Sequence, residues 1–84
     1  MCYVPFPTLE SAQKVTTYLL EKKLIACANI VTSESIYSWN GDYQHENEWI
    51  AIIKTLQSKR QVLVETVESQ HPYDLPAILC WEVE

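Results

Sequence analysis

The chain has 84 residues, of which 48% are hydrophobic and 20% are charged, a composition typical of one small globular domain. Its formal net charge is −5, and its six basic residues form no cluster of the kind that binds nucleic acid or an anionic membrane surface. No apolar run approaches the roughly 18 residues of a membrane-spanning helix. Cations, small molecules and other proteins are therefore the expected partners.

Three cysteines are scattered along the chain, at Cys2, Cys27 and Cys80. An odd count without CxxC spacing predicts no disulfide framework, and Cys27 and Cys80 are expected to be packing residues. No segment resembles a secretory signal peptide. We therefore expect a cytoplasmic protein.

The first half of the chain predicts a strand, a helix and one arm of a hairpin. Met1–Val4 is the first strand, and a helix follows from Thr8, a suitable N-cap, to Leu24, because apolar residues recur every three or four positions. Asn40-Gly41 is a strong hairpin-turn signal, because both residues tolerate positive φ. It joins two predicted strands, Ile25–Trp39 and Tyr43–Thr55.

The second half predicts another helix and strand. The helix runs from Lys59 to Gln70, with Ser58 and Gln61 as a capping box. A last strand covers Pro76–Val83. The resulting order, β-α-β-β-α-β, is that of the ferredoxin-like fold, an α+β class in which two helices cover one face of a four-stranded antiparallel sheet.

Three predicted strands do not alternate apolar and polar residues, as a sheet with one solvated face would. They are Ile25–Ala28, Trp49–Ile53 and Ala77–Trp81. Both faces of the sheet are therefore expected to be buried, and two helices can cover only one. The simplest cover for the other face is a further copy of the chain.

Four segments in chain order resemble motifs of the CutA divalent-cation tolerance proteins: Leu24–Ile30, Ser35–Gly41, Glu48 with Lys54-Thr55, and His71–Ile78. The resemblance implies a single ferredoxin-like domain over residues 1–84, without the short strand and helix that usually follow in the family. It also implies a homotrimer linked to tolerance of copper and other divalent metals. The trimer resembles the PII signalling proteins, which bind small effectors between subunits.

Metal binding is the first function that the resemblance implies, with copper or another divalent cation as the bound metal. A copper site needs imidazole or thiol ligands that converge. Of the ligand set implied by the family only His71 is present, because Phe6 and Gln70 stand at the other positions. Cys2 is the candidate second ligand. The alternative is that the His71 imidazole hydrogen-bonds a neighbouring strand and holds the turn.

A small anionic effector is the second candidate ligand. Lys54 shares a strand face with two isoleucines, so it needs a carboxylate partner or a bound anion. Glu48 lies too far along the same strand to pair with it directly. A cleft between subunits is therefore predicted from Tyr37, Trp39, Glu48, Lys54, His71 and Tyr73.

Catalysis is the least expected activity. The serines lack a nucleophile elbow, and a chain with a single glycine has no phosphate-binding loop. The protein is predicted to act by binding, and a purely structural trimer with an indirect effect on metal tolerance is the third alternative.

Overall fold

The computed structural model of the chain describes residues 1–73 and 76–82, and within them the predicted β-α-β-β-α-β order is confirmed. The elements are β1 (Cys2–Phe6), α1 (Leu9–Glu21), β2 (Cys27–Trp39), β3 (Asp42–Lys54), α2 (Arg60–Gln70) and β4 (Leu79–Cys80). The strands form one antiparallel sheet in the order β2-β3-β1-β4. This is the ferredoxin-like arrangement.

Helix α1 begins as its sequence predicts and ends earlier. The Thr8 hydroxyl accepts the Ser11 backbone N–H at 3.0 Å, which caps the first turn. The helix stops before Leu24 because Lys23 adopts a left-handed conformation with φ of 58°. The Leu24 N–H then donates to the Leu19 carbonyl at 3.0 Å, the closing bond of a Schellman motif.

Helix α2 differs from the prediction at its start. It begins at Arg60 after a 3₁₀ turn over Gln57–Lys59, and its N-cap Lys59 makes no side-chain capping bond. The predicted capping box of Ser58 and Gln61 is therefore wrong. Ser58 lies inside the 3₁₀ turn, where its side chain does not flank the first α-helical turn.

Strands β2 and β3 form a hairpin that extends beyond the rest of the sheet. Asn40 and Gly41 have φ of 53° and 82°, so the predicted turn is confirmed. The register runs unbroken from Cys27 opposite Lys54 to Trp39 opposite Asp42. Within this hairpin, strand β1 pairs only with Trp49–Ile53, the part of β3 that lies away from the turn. The outer half consequently carries exposed side chains, of which the large hydrophobic ones are Ile36, Tyr37, Trp39 and Tyr43.

The two faces of the sheet are buried to different extents. The face under the helices forms the core, which joins Val4, Phe6, Ala51 and Ile53 to residues such as Leu63 of α2. On the helix-free face Ile50 is buried, whereas Val31 and Leu79 are 44% and 62% exposed. In the single chain only the helix-covered face is therefore closed, and the helix-free face keeps apolar side chains in contact with solvent.

Strand β4 is much shorter than the predicted strand over Pro76–Val83, whose last residue lies outside the described residues. It pairs with β1 through Cys2 opposite Cys80. These two cysteines form a disulfide, so the expectation that Cys80 is only a packing residue is wrong, and Cys27 is the one free thiol of the three cysteines. Sequence spacing missed the bond because the fold, not the chain, brings positions 78 residues apart into register.

Candidate functional site

His71 is the first residue after α2, where the chain leaves the helix layer and passes the end of β1. Its Nε2 is 2.7 Å from the Pro5 carbonyl oxygen, and its Nδ1 accepts the Tyr73 backbone N–H at 3.0 Å. These partners assign the neutral tautomer with hydrogen on Nε2. The ring also stacks on Phe6, with centroids 4.4 Å apart. Both ring nitrogens are thus engaged, and a metal could bind only after one of these hydrogen bonds is broken.

Cys2, the second predicted metal ligand, is not brought to His71. Its sulfur is bonded to Cys80. His71 packs on Phe6, four residues further along β1, which places the imidazole about 13 Å from Cys2 at the usual rise of a strand. The structure therefore does not assemble the predicted pair of His71 and Cys2 at one point.

A cluster of oxygen ligands lies on one face of the β2–β3 hairpin, just beyond the end of β1. The Ser35 hydroxyl donates to Glu48, and the Tyr37 hydroxyl donates to Glu46 at 2.9 Å. Tyr73 lies close enough to both carboxylates for their charges to act on its hydroxyl. We call Ser35, Tyr37, Glu46, Glu48 and Tyr73 the carboxylate–tyrosine cluster.

Both phenols of the carboxylate–tyrosine cluster respond to its negative field. The pKa of Tyr37 is raised above its ordinary value of 10, first by the hydrogen bond to Glu46 and further by nearby negative charge. The pKa of Tyr73 is raised by burial first and then by the charges of Glu48 and Glu46. A site that disfavours phenolate in this way favours a cation.

The predicted cleft of six residues divides into separate regions in the single chain. Tyr37, Glu48 and Tyr73 come together, with His71 next to Tyr73. Trp39 is opposite Asp42 at the hairpin tip and is 64% exposed. Lys54 lies six residues from Glu48 along β3, which separates the two Cα atoms by about 20 Å.

Lys54 instead lines a cleft of about 480 Å³ at the opposite end of the sheet. Arg60 at the start of α2 also faces this cleft, and among the described residues neither cation forms an ion pair. The Cys2–Cys80 disulfide lines it as well, together with Trp81 and Glu82.

Sequence reasoning missed Ser35, Arg60 and the Cys2–Cys80 pair. No sequence pattern marks Ser35, because its role depends on a hydrogen bond to Glu48, two residues along β3 from its direct partner Glu46. Arg60 is merely one charge at a helix start. The cysteine pair did carry a signal, because β1 and β4 are neighbours in a ferredoxin-like sheet, yet their register could not be read from the sequence.

Comparison with known proteins decides the family. Residues 1–84 match the protein family described as "CutA1 divalent ion tolerance protein". The chain belongs to this family. The divalent-cation tolerance protein CutA of Thermococcus kodakarensis is 50% identical over 76 residues, which cover 90% of this chain and 73% of that protein.

Solved CutA structures share the fold. The periplasmic divalent cation tolerance protein CutA from Archaeoglobus fulgidus is 35% identical, with a TM-score of 0.91 over 99% of this chain and 81% of that one. The PII-like protein CutA from Nostoc is 29% identical, with a TM-score of 0.88 over 99% of this chain and 79% of that one. The ferredoxin-like fold implied by the CutA resemblance is therefore confirmed.

Two further features of the described residues concern membranes and metals. Neither α1 nor α2 has the length and hydrophobicity that a membrane-spanning helix needs. Over residues 1–73 and 76–82, histidine, cysteine, aspartate and glutamate side chains form no group of three or more that could hold a metal ion.

Proposed function

We propose that this protein is a homotrimer that contributes to tolerance of copper and other divalent cations by binding metal ions, not by catalysis. The observation that carries the proposal is the carboxylate–tyrosine cluster, in which two carboxylates, two phenols and a hydroxyl converge on one face of the hairpin. Hard divalent cations prefer such oxygen ligands. Membership of the CutA1 family supplies the link to divalent cations.

The homotrimer is supported by the surface of the single chain. Strand β2 is 13 residues long and lies at the edge of the sheet, with β3 as its one neighbouring strand among the described residues. A long exposed edge strand is a ready template for pairing with another chain. The exposed Val31 and Leu79 on the helix-free face add apolar area for a second chain to bury. A neighbouring subunit could also complete the ligand set of the carboxylate–tyrosine cluster.

The metal-binding proposal is tested by calorimetric titration of the protein with Cu(II) and with Mn(II). Glu48→Gln removes one carboxylate charge from the cluster and should weaken binding clearly. Glu65→Gln is the matched control, because it removes the same charge from the exposed face of α2, away from the hairpin. Binding that is equal in all three proteins would rule out the cluster as the metal site.

Metal binding at His71, without Cys2, stays a proposal with a stricter requirement. His71 would have to release either the Pro5 carbonyl or the Tyr73 N–H before it could bind a metal. A His71→Ala variant in the same titration separates the two locations. If this variant loses Cu(II) while Glu48→Gln keeps it, the metal binds at the histidine.

A PII-like sensor is the second candidate function, and the cleft beside Lys54 and Arg60 is the observation that favours it. Two cations without an ion-pair partner among the described residues could hold a small anion. Lys54→Ala should then abolish binding of a triphosphate probe, whereas metal ions would have no effect. A stable trimer indifferent to both metals and anions would favour the third alternative, a structural role.

The cytoplasmic location stays a prediction. A disulfide such as Cys2–Cys80 persists in oxidising compartments, and reducing compartments keep most thiols free. The Archaeoglobus relative is described as periplasmic. The number of free thiols can be counted on protein taken from cells under acid quench. One free thiol per chain would indicate an oxidising compartment, and three would indicate a reducing one.

A further inference from the structure

The Cys2–Cys80 bond lies at a place where two thiols would stay together after reduction. The two residues face each other across β1 and β4, with Cα atoms 4.1 Å apart. At the neighbouring position of the same strand pair, the Met1 amine donates to the Trp81 carbonyl and the Trp81 N–H donates to the Met1 carbonyl, both at 2.8 Å. Cys2 and Cys80 are therefore a non-hydrogen-bonded pair, the type whose side chains approach most closely. The backbone ladder, not the disulfide, holds the two side chains on one face.

Cys80 is the member of the pair that small reagents can approach. Cys2 is buried at 1% exposure, but Cys80 is half-buried and both line the cleft of about 480 Å³. A small thiol can therefore attack the Cys80 sulfur. That attack breaks the sulfur–sulfur bond, leaves a mixed disulfide at Cys80, and releases Cys2 as a thiolate that takes up a proton. A second small thiol then frees Cys80 and leaves as the oxidised small disulfide.

We propose that the reduced Cys2–Cys80 pair is a two-thiolate site for a soft monovalent cation, Cu(I), and that the disulfide is the closed form of this site. Thiolates bind soft metals such as Cu(I) and also zinc, but zinc normally takes four ligands. Cu(I) is satisfied by two of them, so the site needs no third protein ligand. Binding releases the two thiol protons and involves no change in the oxidation state of the metal.

The charges around the cleft fit the complex that would form. Two thiolates with one Cu(I) carry a single net negative charge. Lys54 and Arg60 face the same cleft and stabilise that charge, whereas Glu82 opposes it. A divalent cation bound by neutral or single-thiolate ligands would gain nothing from these two cations. The site therefore differs in ligand type and in charge preference from the carboxylate–tyrosine cluster.

This inference deepens the proposed metal-binding function and rests on it for its cellular role, but the two sites are measured separately. Protein reduced with a thiol, freed of the reductant and kept anaerobic is titrated with Cu(I) against the chelator bathocuproine disulfonate. The reduced protein should take one Cu(I) per chain from the chelator, and the oxidised protein should take none. Comparing two redox states of one protein removes any doubt about the folding of a variant.

Variants then assign the ligands. Cys80→Ser should lose Cu(I) uptake in the reduced state, and Cys27→Ser, which removes the free thiol, should keep it. Lys54→Met should weaken binding by about 10-fold, as expected for a group that supports the ligands without touching the metal. Glu48→Gln should leave Cu(I) uptake unchanged, and this variant distinguishes failure of the cluster from failure of the cysteine pair.

Three results would overturn the proposal. The first is a disulfide that thiols reduce only in denaturant, because the site could then never open in the folded protein. The second is equal Cu(I) uptake by the reduced and oxidised forms. The third is equal uptake by reduced wild type and Cys80→Ser, which would make the disulfide a structural cross-link only.

Discussion

The imidazole of His71 is stacked on the ring of Phe6, with 4.4 Å between centroids and 22° between planes. The same imidazole hydrogen-bonds the Pro5 carbonyl on the adjoining residue of β1. His71 thus joins the end of α2 to the end of β1 by one apolar and one polar contact. Because it also receives the Tyr73 N–H, it sets the path of the chain beside the carboxylate–tyrosine cluster.

His71→Ala should therefore destabilise the fold whether or not any metal is present. The change removes the stacking on Phe6 and leaves polar backbone groups without partners, so the free energy of unfolding should fall by about 2–3 kcal/mol. Urea denaturation in a metal-free buffer measures it. Gln70→Ala, at the exposed neighbouring position, is the control and should change little. A stable His71→Ala protein would show that the imidazole is not a structural clamp.

Stability should also depend on pH through His71. Burial lowers the pKa of His71 below its ordinary value of 6.5, and the hydrogen bond to Pro5 opposes this shift only in part. As pH falls below 6.5 the unfolded chain gains a proton before the folded chain does, so stability decreases until the folded pKa is reached. Above 6.5 the contribution is fully present.

The titration of carboxyl groups overlaps this window, so the measurement is a difference between two proteins. Wild type and His71→Asn are unfolded with urea at a series of pH values below neutrality. The wild type should lose stability more steeply on acidification. Parallel curves would mean that His71 is protonated as readily in the fold as in the unfolded chain.

The phenols of the carboxylate–tyrosine cluster report its electrostatic field. Glu46→Gln should lower the pKa of Tyr37 towards 10, because the hydrogen bond to the Glu46 carboxylate is the largest cause of its elevation. The pKa of Tyr73 should fall less, because burial is its main cause. Titration of the tyrosine ring carbons by NMR measures both values. Glu65→Gln on α2 is the control, and an effect of equal size there would argue against a local field.

Much of the fold could be predicted from local patterns. The period of α1, the Asn40-Gly41 turn and the Thr8 cap each follow from chemistry within a few residues. The start of α2 could not be predicted, because the spacing of Ser58 and Gln61 fits a capping box but does not reveal that a 3₁₀ turn over Gln57–Lys59 precedes the helix. The length of β4 was overestimated because an apolar run does not reveal how much of it finds a pairing partner.

The site was harder to predict than the fold. Glu48 and Tyr37 were identified from a resemblance, and the hairpin register does bring them into one cluster with Tyr73. Lys54 was assigned to the same cleft because strand alternation shows which face a residue occupies but not which residues surround it. The single chain places it at the other end of the sheet, beside Arg60.

The helix-free face is expected to be an interface between copies of the chain. Val31 lies on the edge strand β2 and is 44% exposed, so Val31→Lys would place a charge in the contact. Wild type should sediment as a trimer and Val31→Lys as smaller species. Gln13→Lys on α1 adds the same charge on the helix side and should leave the trimer intact. A monomeric wild type would contradict the proposed assembly.

Reduction of the Cys2–Cys80 disulfide should lower the stability of the fold without abolishing it. The bond links residues 78 positions apart, and the loop-entropy relation gives about 4.5 kcal/mol for a loop of that length. Less than this is expected in practice, because the unfolded chain is already compact. Urea unfolding with and without a thiol reductant measures the difference.

Cys27→Ser should respond to the reductant as wild type does, and Cys80→Ser should not respond at all. If reduction unfolds the protein completely, then the backbone ladder between Met1 and Trp81 is too weak to hold β4, and the two thiols could not form a site together.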